Sequence, residues 1–94
     1  MSSLKRIVLD VLKPHHPNAL DFASAIADEN SGCRVTVTVT EVDERTESTV
    51  VVIEGDDIPY QEIVGIITRL GGSVHSIDEV EVSNVPGRSK RRPD

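Results

Sequence analysis

The chain is poor in aromatic residues, with one Phe, one Tyr and no Trp among 94 residues. That leaves almost nothing on which bases could stack, so a single-stranded nucleic-acid platform is excluded. Cysteine is scarce as well: Cys33 alone rules out an intramolecular disulfide and a cysteine-based zinc site, and it suits a reducing compartment. Cys33 opens an alternating segment with no motif around it and reads as a buried structural thiol. No apolar run approaches the roughly 20 residues of a membrane span. Met1-Ser2-Ser3-Leu4-Lys5-Arg6 leads into an alternating strand instead of a signal peptide's apolar block, so a cytoplasmic location is expected. Positive charge is in deficit, 10 Lys and Arg against 16 Asp and Glu for a net of −6, which argues against nucleic acid as the main partner.

What is present is apolar and aliphatic. Leu, Ile, Val and Phe supply 28 of the 94 residues, enough to take a charged chain out of the disordered range. A chain of this length buries about 64% of its unfolded surface, which supports one domain with a thin core. The charge is unevenly placed. Residues 83–94 carry Arg88, Lys90, Arg91 and Arg92 against Asp94, a net of +3, and so residues 1–82 hold −9. With Pro86, Gly87 and Pro93 in it, that stretch reads as a disordered basic tail behind a single domain over residues 1–82.

Hydrophobic periodicity divides the domain into six elements. Lys5–Leu12 alternates, with Ile7, Leu9 and Val11 on one face, and predicts a strand. Pro14 and Pro17 end it and precede a helix over Asn18–Glu29, where Ala19, Phe22, Ala23, Ile26 and Ala27 fall at i, i+3, i+4, i+7 and i+8. Cys33–Thr40 alternates valine with threonine, Asp43–Glu47 is a polar hairpin, and Ser48–Glu54 is a third strand. Pro59–Leu70 is a second helix with the face Ile63, Ile66, Ile67 and Leu70. Gly71-Gly72 closes it, one glycine taking the left-handed cap. Ser73–Val82 is the last strand, and the three-residue spacing of Val74, Ile77 and Val80 predicts a bulge or twist.

The order β-α-β-β-α-β predicts an α+β, ferredoxin-like sandwich: a four-stranded antiparallel sheet of order 4-1-3-2 with two helices on one face. Val50-Val51-Val52-Ile53 is apolar on both sides, with Val8 and Leu12 pointing outward in the first strand. A sheet with one solvated face should alternate instead. Burial against further copies, a homo-oligomer, is the physical expectation.

Three separated segments resemble a known family: Val8-Leu9-Asp10-Val11-Leu12-Lys13-Pro14-His15, then Thr46-Glu47, then Gly71-Gly72-Ser73-Val74-His75-Ser76-Ile77-Asp78-Glu79-Val80. They are similar to small archaeal proteins grouped as domain of unknown function 211, over about residues 4–82. The resemblance implies a ferredoxin-like fold, homo-oligomers and an archaeal source, and no established activity. His16 stands where members often have glutamate, and the basic tail lies outside the shared pattern.

Two constellations carry chemistry. With the fourth strand antiparallel to the first, Asp10, His15 and His75 gather at one end of the sheet. They form a candidate ligand-binding set of the nitrogen and oxygen donors that transition metals accept. The carboxylates Asp43 and Glu47 in the hairpin and Asp78 and Glu79 in the last strand form a candidate metal set. Drawn together across subunits, they suit Ca²⁺ or another divalent ion. Asp78-Glu79 interrupts a strand built for burial, so a cation, an arginine such as Arg6, or exposure must answer for those charges. No phosphate-cradling glycine loop precedes a helix. The expected function is a non-enzymatic homo-oligomeric module binding a small ligand or divalent metal ion in a regulatory role. The alternatives are a partner-binding protein acting through its basic tail, with RNA reached only there, and a small enzyme using a His75/Asp10 acid–base pair.

Overall fold

In the computed structural model, residues 2–85 are described, and they run β1 (Ser3–Pro14), α1 (Ala19–Asp28), β2 (Arg34–Val42), β3 (Thr46–Glu54), α2 (Tyr60–Arg69) and β4 (Ser73–Ser83). The strands form one antiparallel sheet of order β2-β3-β1-β4, which is the expected ferredoxin-like arrangement. The central strands alternate as their sequences require. Ile7, Leu9 and Val11 of β1 and Val51 and Ile53 of β3 are buried beneath Phe22 and Ile26 of α1 and Ile63, Ile66 and Ile67 of α2. Burial of each such side chain is worth roughly 1.5–3 kcal/mol, and these residues account for most of the core. On the opposite face Val8, Val50 and Val52 are half-buried and Leu12 is 40% exposed.

Local chemistry sets the ends of the helices. Asn18 caps α1, its side chain accepting from the Asp21 amide at 2.8 Å. Gly71 follows the last turn of α2 with φ +89°, the left-handed conformation that glycine adopts without steric cost. A Cβ there would also meet Pro14 Cγ at 3.2 Å, so the cap is seated directly on the end of β1.

β4 departs from simple alternation. Its register against β1 shifts three times, with Lys5 the extra residue on β1 and His75 and Asp78 the extra residues on β4. Each of the two β4 bulges puts two consecutive β4 residues opposite one β1 residue. Val74, Ile77 and Val80 thereby all stand opposite core residues of β1 (Val11, Leu9 and Ile7) despite their spacing of three, which is the irregularity the sequence predicts. Helix cover reaches Val74, which packs on the core, and stops short of the rest: Ile77, Val80 and Val82 are 50%, 55% and 54% exposed. Three exposed apolar side chains thus share edge strand β4, while others stand on the opposite edge strand β2 (Val39 and Val42), at Leu12 of β1 and at Leu20 of α1. Of the basic tail expected over 83–94, residues 86–94 lie outside the described residues.

Candidate functional site

The same bulges decide where the polar residues of β4 stand. Asp10 pairs with Ser76 on the outer face, and the extra residue His75 comes to the same rung. His75 Nδ1 lies 3.5 Å from Asp10 Oδ2, with the imidazole 80% and the carboxylate 40% exposed. Asp78 follows two rungs along and accepts a hydrogen bond from Ser76 Oγ at 2.7 Å. Glu79 faces Arg6, whose Nε is 3.4 Å away, while Arg6 Nη1 donates to Glu54 Oε2 at 2.7 Å. The sequence-based question about Asp78-Glu79 is therefore answered by exposure for the first and by Arg6 for the second. The bond to Glu54, with the charge of Glu79 added, holds the Arg6 guanidinium above its ordinary pKa.

Of the expected ligand set, Asp10 and His75 are brought together and His15 is placed elsewhere. One residue beyond β1, His15 turns towards the hairpin on the β3 side. Its Nδ1 stands 3.1 Å from Glu47 Oε2 and its Nε2 3.0 Å from the Glu44 carbonyl. The bond to Glu47, followed by that to Glu44, raises the pKa of the ring above 6.5.

The other Glu47 oxygen accepts from Lys13 Nζ at 2.8 Å. Lys13 is fully buried, donates also to the Pro14 carbonyl at 2.8 Å, and stands 5.7 Å from the centroid of the Phe22 ring. Hydrogen bonding from Lys13, and then from His15, holds the Glu47 carboxyl below the usual carboxylate range. Glu47 is an internal ion-pair partner with both oxygens engaged by Lys13 and His15, unlike the open carboxylate that a metal ligand requires. Asp43 lies in the turn, its amide donating to the Thr46 carbonyl at 2.8 Å. Among the described residues, no group of three or more His, Cys, Asp or Glu side chains within one chain is placed to hold a metal ion.

Lys13 is the residue that sequence reasoning passed over. It continues the parity of Ile7, Leu9 and Val11, and that period-two signal placed it on the core face. Its charge hid the signal. Thr49 was hidden in the same way: it is buried on β3 and donates to the Val11 carbonyl at 2.7 Å. Cys33 is half-buried and packs on the core, and burial pushes its thiol pKa up, as fits an inert structural thiol.

Fold and site together define a small ferredoxin-like α+β module with a polar outer face on one edge strand. Among the described residues, no helix is long and apolar enough to cross a membrane. The chain belongs to the family of domain of unknown function 211, described as uncharacterized ArCR, whose pattern it matches over residues 5–85. It is similar to the uncharacterized protein MJ0319 of Methanocaldococcus jannaschii, with 46% identity over 80 residues that cover 85% of this chain and 82% of the relative. Family and fold both agree with the resemblance carried by the three sequence segments.

Proposed function

We propose that the chain is a non-enzymatic, self-associating module that binds a divalent metal ion or small polar ligand at the outer face of β4 in a regulatory role. The observation that carries the proposal is the pair of β4 bulges. They set His75 beside Asp10, with Asp78 and Glu79 following on an unpaired sheet edge, and leave Ile77, Val80 and Val82 uncovered on the other side. An edge strand with free backbone groups and apolar side chains is a template for pairing with another chain. One copy contributes two or three oxygen and nitrogen donors, fewer than the six to eight oxygens that Ca²⁺ takes. A neighbouring copy, or water, is needed to complete the set, and metal binding and association are therefore coupled.

The test is isothermal titration of chelator-stripped protein with Ca²⁺, Mg²⁺, Zn²⁺ and Ni²⁺, run beside sedimentation velocity. Heat with one ion, lost in Asp78→Asn/His75→Gln, together with an oligomer that tightens on metal addition, is the expected result. No heat with any ion disposes of the metal reading, and a monomer at all concentrations disposes of the self-associating one.

The 3.5 Å approach of His75 to Asp10 also supports the second reading, an acid–base pair. A ring 80% exposed lacks the water exclusion that strengthens such a pair, and for that reason the binding role is preferred. Hydrolytic activity that vanishes in both His75→Gln and Asp10→Asn is the result that reverses this preference.

A further inference from the structure

The end of β1 pairs with the start of β3 as far as Pro14 and Thr46, and the side chain of His15 extends that contact to the tip of the β2–β3 hairpin. Both of its ring nitrogens face acceptors, Glu47 Oε2 at 3.1 Å and the Glu44 carbonyl at 3.0 Å. A neutral imidazole has a single N–H and can serve only one of them, setting a lone pair against the other; the imidazolium donates to both. Glu47 is not free to turn away, because its second oxygen holds the ammonium of fully buried Lys13, and leaving that charge unpaired is expensive. The charged groups gathered around the ring are Glu47 from β3, Lys13 from β1 behind it, and the acidic hairpin residues Asp43 and Glu44, which face it through backbone carbonyls. The ring is 34% exposed, so its proton exchanges with solvent.

We propose that His15 is a proton-operated latch: as the imidazolium it ties the hairpin tip to the end of β1, and on losing its proton it releases the tip while the Lys13–Glu47 pair keeps the sheet closed. The proton passes to water and no other group changes charge. The latch stands apart from the Asp10–His75 corner and holds whether or not that corner binds a ligand. Its pH window follows from linkage. The folded-state pKa of His15 is raised from 6.5, so the contribution of the latch is complete below that value and is lost as pH rises through the folded pKa.

The test is a pH titration of the full chain by NMR. It follows the His15 ring protons together with hydrogen exchange at the Asp43 amide, which closes the hairpin onto the Thr46 carbonyl, corrected for intrinsic exchange. The expected result is a His15 midpoint above 6.5 and a several-fold loss of Asp43 protection through the same midpoint, with Leu9 and Val51 unchanged. In His15→Gln the step in protection disappears. A His15 midpoint at or below 6.5, or Asp43 protection in the wild type that shows no step there, overturns the latch. The wild-type titration reads both outcomes, so a poorly folded variant leaves the test intact.

Discussion

Lys13 occupies a position that its neighbours on β1 fill with Ile7, Leu9 and Val11. The ammonium is tolerated because three groups receive it: the Glu47 carboxylate, the Pro14 carbonyl and the face of Phe22. Removing one member of such a set is worse than replacing the whole set, since a stranded buried charge keeps its desolvation cost. Glu47→Gln is therefore expected to lower stability in urea denaturation, and Lys13→Met combined with Glu47→Gln to recover part of the loss. Equal stability of the single and double variants would show that the ammonium finds water instead. Stability against pH has two edges here. The Glu47 pKa is depressed from 4.5, so its contribution is present above that value and falls away as pH drops through the folded pKa. That of His15 is present below 6.5 and falls away as pH rises through its raised pKa. Melting temperature is expected to be highest between these edges, and the alkaline decline to be shallower in His15→Gln.

At the scale of elements, the caps and the bulges carry the specificity. Asn18→Ala removes the acceptor for the Asp21 amide and is expected to cost about 1 kcal/mol, read by thermal unfolding. Gly71→Ala forces an L side chain into the left-handed region and into contact with Pro14. A loss of about 1–2 kcal/mol is expected, and no loss would mean that the cap relaxes away from β1. These caps were legible in the sequence because they are local: Asn18 stands just before an i, i+3, i+4 pattern, and Gly71 just after another. The spacing of Val74, Ile77 and Val80 announced an irregularity in β4, but not which residues were extra. That depends on pairing with β1, where Asp10 and Val8 each face two residues of β4. The approach of His75 to Asp10 follows from this register and could be anticipated only as a shared end of the sheet.

On the whole molecule, the helices cover the centre of one sheet face and leave the far part of β4 bare. Leu9→Ala, at a fully buried position in the central strand, is expected to cost about 2–5 kcal/mol in chemical denaturation. Val80→Lys, on the exposed part of β4, is expected to change stability within about 0.5 kcal/mol. The same variant is expected to weaken self-association in sedimentation velocity. Unaltered association would place the contact between copies elsewhere, on the half-buried outer face of Val8, Val50 and Val52 in the first instance. The division of charge, −9 on residues 1–82 and +3 on residues 83–94, belongs to the same scale. The excess of carboxylates over cations in the body is what the proposed cation binding draws on.

Composition and periodicity were sufficient for the order of elements, the sheet topology and most of the core, because each rests on short-range pattern and on the few ways two β-α-β halves can close. They also excluded an intramolecular disulfide and a cysteine-based zinc site within one chain on residue counts alone. Folding in three dimensions sorted the polar residues. His15 and His75 looked like members of one set along the chain, yet strand pairing sends one to Glu47 on the β3 side and the other to Asp10 on the β4 side. Glu47 looked like a free carboxylate and is held by a buried lysine. The reason is one of range: a strand's period says which face a side chain takes, whereas the charge it meets is set by residues some thirty or more positions away.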